Sequence, residues 1–452
     1  MTEEKENKLV TDKHVLVLIK NQLTGLCQPF LRETEYIKNY FCGLVLTQLD
    51  VEARVETEVH ASTTEAKVEG DQLFKHNFYP DSIVYLTGDI QTNYNQIKDQ
   101  LTDNHCTVVV VRELSYNFDD KTENYNFVCL GEVPINLHNV GVYFRNFFSP
   151  EKDYFNLIDG EHKFQVLKES NKPSNAFRKG IYLTEVEQID DTTTQFNLLR
   201  CSTNMNGPTE NFRTTDREVV ANVNSIGENF FEQKTKFNHV LAQIYQNLTI
   251  DNGADGMAQK KAKIKEHSDK TKDMPRNGLM AFCTFYKDYH GNRFNDSEMK
   301  QVKVSPDDMY NYCYNKTSVL TRLRFRLKAV VTDPQYTKQF DIILYPNSVF
   351  TMSLDMNRLY THEIVPSILP IDKIPTRMGY VIRCSATKSV FKDDQTYIVE
   401  GDEMVRLERP TDDDVRRLRG LYFKENTSTD VMDYGKIYFS MNDGDYTRPV
   451  AT

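Results

Sequence analysis

Apolar and polar positions follow two rhythms along this chain, and the change between them divides it. Up to about residue 150, short apolar runs alternate with stretches of helical period. VLVLI at 15–19, SIVYLT at 82–87 and TVVVVREL at 107–114 read as strands. VEARVETEVH at 51–60 alternates, with Val51, Ala53, Val55 and Val59 on one face. Residues 23–49 and the polar stretch QTNYNQIKDQL carry helical period. Strand–helix–strand succession predicts an α/β domain with a mixed or parallel sheet. No GxGxxG and no GxxxxGKS/T follows any of these strands, so the phosphate cradle of a nucleotide site is missing and an accessory or docking role is expected.

Polar, aromatic-rich sequence around 150–175 marks a boundary, giving expected domains 1–150 and 151–452. Thr215-Asp216-Arg217-Glu218 is a capping-box candidate opening a helix with Val219, Val220, Val223, Ile226 and Phe230 inward. From Phe237 strands dominate: FNHVLAQIY, KIKEHS, LMAFCTFY, TRLRFRLKAVV, FDIILY, SVFTMSL, RMGYVIRCS and TYIVEG. So many strands with few helices predict a barrel or sandwich. The amphipathic helix TDDDVRRLRGLYF, capped by Thr411, and a hairpin at MNDGDY close the pattern.

Composition adds limits. A formal net charge of −10 argues against non-specific nucleic-acid binding, while leaving room for a local basic patch. The 8 cysteines form no CxxC pair, which speaks against cysteine-held zinc and for a reducing compartment. Neither a secretory leader nor a run long enough to span a membrane is visible, so an intracellular protein, cytoplasmic or nuclear and without a membrane partner, is expected.

Candidate chemistry begins at His267-Ser268-Asp269. On a strand, residues two apart point to one face, so an imidazole and a carboxylate there would grip one object together. His362 lies beyond the strand SVFTMSL, and Arg377, Gly379, Val381 and Arg383 share one face of RMGYVIRCS. Two histidines and one carboxylate make the facial triad of non-haem Fe(II) oxygenases, with three positions left for small molecules. Basic sequence surrounds the motif: KKAKIK leads into it, and Arg322, Arg324, Arg326 and Lys328 alternate along one strand face. Such a ladder would hold phosphates, or would serve as an outward face that resists edge pairing.

HSD, NRLYTHEI and RMGYVIR, in that order and with FNHVLAQIY upstream, resemble the AlkB branch of the Fe(II)/2-oxoglutarate-dependent dioxygenases over about residues 200–390. The resemblance implies an α+β chain: a C-terminal double-stranded β-helix, or jelly roll, preceded by a smaller α/β domain. It implies His267, Asp269 and His362 as ligands of Fe(II), with 2-oxoglutarate and O2 as cosubstrates. Arg377 would pair with the distal carboxylate of 2-oxoglutarate and Arg383 would lie near its chelating end. Tyr245 and Gln243 would hydrogen-bond it. Lys270, Thr271, Arg322, Arg324 and Arg326 are the candidate substrate contacts.

The implied reaction is hydroxylation or oxidative demethylation of a nucleic-acid base, single-stranded or modified. Two alternatives stand beside it: the same iron chemistry on a protein side chain or small molecule, and a non-catalytic interaction protein on an oxygenase-like barrel. Three positions depart from the family pattern, and a long polar insertion, NLTIDNGADGMAQKK, separates Tyr245 from the HSD strand. Gln243 and Gly379 stand where asparagines are expected, Thr271 stands where an acidic residue reads the base, and the chain has no tryptophan to stack on one.

Overall fold

The computed structural model describes residues 7–18, 28–47, 78–118, 126–168, 175–202, 205–251, 257–287, 313–314 and 317–451. It divides into two compact units, one within Leu9–Phe147 and the other within Phe148–Thr452. The strand expected over 51–60 lies outside the described residues.

The first unit is built from β1 (His14–Leu18), α1 (Gln28–Tyr40), β2 (Leu44–Thr47), β3 (Ile83–Asp89), α2 (Ile90–Asp103), β4 (Thr107–Tyr116) and β5 (Asn126–Val128). The strands form one sheet in the order β2-β1-β3-β4-β5, every pair parallel. Strands of a parallel sheet are buried on both faces, which is why Val15, Leu16, Val17, Val84, Leu86 and Val110 are continuous apolar runs. Ile90, Ile97 and Leu101 from α2 close one side of this core. The helix expected through residue 49 ends at Tyr40 instead. At Gly43 a Cβ would lie 2.2 Å from the carbonyl oxygen of His14, so only glycine lets the chain come against β1 there and continue as β2.

The second unit carries α3 (Thr214–Phe230) and nine strands that matter for the site: β6 (Asn175–Thr184), β7 (His239–Tyr245), β8 (Ile264–His267), β9 (Leu279–Tyr286), β10 (Arg322–Leu327), β11 (Gln339–Ile343), β12 (Ser348–Ser353), β13 (Tyr360–Val365) and β14 (Arg377–Arg383). One sheet runs β6-β7-β14-β9-β12 and the other β8-β13-β10-β11. From β7 onward the chain crosses between the two sheets, returning to the first at β9, β12 and β14. All these pairings are antiparallel. The unit is mostly β-sheet with few helices, and this order is compatible with a jelly roll.

Val219, Val220, Val223, Ile226 and Phe230 of α3 are all buried, as their spacing predicts. The helix begins at Thr214, however, and it is Asp216 that caps it, accepting from the Arg213 backbone N–H at 2.7 Å. Past β14, the strands Thr387–Lys392, Gln395–Glu400 and Glu403–Arg406 pair in a further sheet. They lead to α5 (Asp412–Thr427), which follows the short α4 (Leu354–Leu359) in chain order. Thr411 caps α5, its Oγ1 accepting from the Asp414 N–H at 3.2 Å. MNDGDY is not a hairpin: Asp443–Tyr446 forms a single 3-10 turn.

Candidate metal centre

The site starts from strand register. β8 and β13 pair antiparallel with His267 opposite His362. Residues directly opposite each other project to the same face, and the two imidazole centroids lie 4.5 Å apart. Phe282 and Phe325 pack on His362 at 5.2 and 5.7 Å between centroids, so that ring sits in an apolar wall.

Asp269 arrives differently from the expectation that it shares a strand face with His267. β8 ends at His267, and the chain turns out of the sheet before Asp269. Side chains then replace the missing strand partner. Asn357 of α4 accepts from the Asp269 N–H at 2.9 Å and donates to its carbonyl at 3.0 Å. Asn426 of α5 accepts from the Ser268 N–H at 2.7 Å, and Glu425 accepts from the Thr271 N–H at 3.1 Å. Held this way, His267, Asp269 and His362 bring one donor atom each within 4.8 Å of one another.

The protonation states suit a cation. His267 Nδ1 lies 2.8 Å from the Lys265 carbonyl, which can only accept. Nδ1 therefore carries a proton, and Nε2 faces Asp269 Oδ1 at 3.5 Å. Burial, reinforced by the neighbouring His267, pushes the His362 imidazole down to about 3, and its Nδ1 is buried with no hydrogen-bond partner. Burial alone would raise the Asp269 carboxyl. The Arg383 guanidinium, donating to Oδ2 from Nε at 3.1 Å and Nη2 at 2.5 Å, holds it well below the usual carboxylate range instead. Two imidazoles and an ionised carboxylate with one oxygen uncommitted to Arg383 are the donor set a ferrous ion takes.

A cavity of about 270 Å3 contains these three residues together with Tyr245, Gln243 and Arg377. The register of β14 against β7 sets Arg377 beside Tyr245 and Gly379 beside Gln243. The Arg377 guanidinium lies 4.0 Å above the Tyr245 ring, and the Tyr245 hydroxyl donates to Gln243 Oε1 at 3.1 Å. Arg377 is 4% exposed, and its Nε and Nη2 are buried without a partner among the described residues. A buried guanidinium lacking an acid is a ready receptor for a carboxylate. Gly379 makes room for it, because a Cβ there would stand 2.9 Å from Arg377 Nη1 and 3.1 Å from Tyr245 Cε2.

The other candidates divide: Arg383 and Lys270 line the cavity, and the rest lie outside it. Arg383 is committed to Asp269, so it acts on a ligand side chain and Arg377 is left as the free guanidinium of the pair. Lys270 lines the cavity, with Nζ donating to the Ser268 carbonyl at 3.2 Å. Thr271 does not line it; its hydroxyl donates to Glu425 Oε1 at 2.5 Å. The arginine ladder is charge-balanced. Arg322 and Arg324 meet Asp341 at 3.1 and 2.7 Å, and Arg326 meets Glu266 at 2.6 Å and Glu363 at 2.7 Å. Lys328 turns inward, donating to the carbonyls of Glu425 and Ser428 at 2.7 and 2.9 Å. Sequence reasoning missed Arg178, which lines the cavity with a buried, unpartnered Nε, and the clamps Asn357, Glu425 and Asn426. No local motif announces any of them.

A second cluster also sets carboxylates around an imidazole: Glu161, His162 and Asp216. Here His162 Nδ1 lies 2.9 Å from Glu210 Oε2, Nε2 lies 2.7 Å from Asp216 Oδ2, and Tyr380 donates to Asp216 Oδ1 at 2.7 Å. Burial would lower the imidazole, but Asp216 and Glu210 carry it up to about 9.

No family model and no curated protein matches the chain. Among solved structures, a prolyl-4-hydroxylase of Pseudomonas putida is similar at 12% identity and a TM-score of 0.27, covering 54% of this chain and 93% of that one. A likeness at that score adds nothing to the argument from geometry. Among the described residues no helix is long and apolar enough to cross a membrane.

Proposed function

We propose that this protein is an oxygenase that uses ferrous iron and 2-oxoglutarate to oxidise a C–H bond. The observation that carries the reading is the convergence of His267 and Asp269 from one stretch of chain with His362 from another, in a cavity that also holds a buried guanidinium with no acid partner among the described residues. His267, Asp269 and His362 would hold the iron, and Arg377 above Tyr245 would take the distal carboxylate of the diacid. Iron, 2-oxoglutarate and dioxygen together supply oxidation of a C–H bond coupled to conversion of the diacid to succinate and carbon dioxide. The chain's own residues orient and shield. The Lys265 carbonyl fixes the His267 tautomer, Arg383 ties down one oxygen of Asp269, and Phe282 and Phe325 keep water from His362.

The order of the motifs supports an AlkB-like reading within that class, with a nucleic-acid base as substrate. Its expected phosphate contacts on β10 are already paired with acids, so the substrate rests on a direct screen. Succinate release is measured across methylated single-stranded oligonucleotides, peptides and metabolites, and the AlkB-like reading expects signal from the oligonucleotides. A non-catalytic scaffold would release none with any of them.

The class itself is tested by titrating the full chain with Co(II) under anaerobic conditions and following its visible absorption. Wild type is expected to bind one equivalent. His267→Ala and Asp269→Ala are expected to lose that binding together with iron-dependent turnover of 2-oxoglutarate. Unchanged Co(II) binding in both variants would overturn the assignment.

A further inference from the structure

The arginines of β10 are neutralised, but another basic strip is not. Lys260, Lys261 and Lys263, from the run KKAKIK, line a groove of about 490 Å3 together with Arg178, Phe177 and Pro366. Among the described residues no carboxylate lines this groove, and none of its four cations forms an ion pair. Lys261 donates to the Ser367 carbonyl at 2.8 Å, while Lys260 and Lys263 are exposed. In a chain of net charge −10, four unpaired cations in one groove are a local reversal of sign that concentrates anions.

Arg178 joins this groove to the candidate metal centre, because it lines both spaces. Strand register places it beside Tyr245, on the side opposite Arg377. Its buried Nε has no hydrogen-bond partner among the described residues. Leaving a charged donor buried and unpaired is costly, and an arriving oxyanion removes that cost.

We propose that the groove is a binding subsite for an anionic group, phosphate or carboxylate, on the molecule that the metal-lined cavity takes as substrate. The word substrate rests on the oxygenase reading; the anion subsite rests on the groove. The substrate then carries its charge on one side of the carbon to be oxidised, with Arg178 at the junction and Lys260 and Lys263 further out.

The test uses the full-length, metal-free chain, titrated calorimetrically with inorganic tripolyphosphate and separately with citrate, at low and at moderate salt. Wild type is expected to bind at least one probe, more weakly as salt rises. The stronger probe identifies phosphate or carboxylate as the matching chemistry. The double variant Lys260→Glu/Lys263→Glu is expected to weaken binding by about tenfold or more and to keep the wild-type melting temperature, since both side chains are exposed.

Three results would overturn the subsite: no salt-sensitive binding of either probe, binding unchanged by the double variant, or an equal loss on Lys388→Glu/Lys392→Glu, exposed lysines of a different sheet. Failure of the oxygenase reading would appear instead in the Co(II) titration and in succinate release, neither of which involves these probes.

Discussion

His162 and His362 are both buried imidazoles within reach of an aspartate, yet their surroundings drive them to opposite charge states. Around His162 both ring nitrogens face carboxylates, so the ring is held as a cation with neither nitrogen left for a metal. Around His362 the nearest carboxylate has been given to Arg383, the second imidazole is turned by a carbonyl, and a buried ring nitrogen is left without a partner. The lesson is that counting histidines and acids does not separate an ion-pair cluster from a metal site. What separates them is whether the lone pairs are spent.

The largest effect that sharpens this contrast is expected at His162. His162→Gln removes the cation between Glu210 and Asp216 and should cost about 3–5 kcal/mol in denaturant unfolding, while the Co(II) absorption at the other cluster stays as in wild type. Equal loss of Co(II) binding would mean that the two clusters are not independent. The same residue sets a pH dependence. Its folded-state value of about 9 lies above the ordinary one near 6.5, so its stabilisation is complete below about pH 6.5 and is lost as pH rises through about 9. His162→Gln should flatten that part of the stability profile.

A smaller effect is expected at Gly379. Gly379→Asn puts side-chain atoms where Arg377 and Tyr245 already lie. It should weaken equilibrium binding of 2-oxoglutarate to the Co(II)-loaded chain by roughly tenfold, with little change in Co(II) affinity. Tighter binding of the diacid would show that the glycine is a loss and not a fit. The smallest effect belongs to the neutralised ladder. Arg322→Gln breaks a half-exposed pair with Asp341 and should change unfolding stability by less than about 1 kcal/mol.

Most strands from β7 onward were legible because they are compact apolar or alternating runs; their order in the sheets was not. His267, Asp269 and His362 were legible as residue types in a sensible order. Their convergence was not, since it depends on a backbone register and on side chains such as Asn357 that carry no local signal. Asp269 shows the limit well. Period-two reasoning places it on a strand, while in the structure it stands past the strand's end and is fixed by α4, α5 and Arg383. Gly379 shows the converse, because a missing asparagine in the motif is the space that a guanidinium occupies. The β10 ladder was visible as alternation, but its partners Asp341, Glu363 and Glu266 lie on other strands or outside its period, so neutralisation could be read only in three dimensions.

One last feature reaches further than its position suggests. Helix α5 looks like a late appendage, yet Asn426 and Glu425 supply the hydrogen bonds that the turn after His267 cannot find in any neighbouring strand. Cropping, tagging or proteolysis close to residue 426 would thus be felt at Asp269, and a fragment stopping after β14 would lose the clamps on the loop that carries the carboxylate.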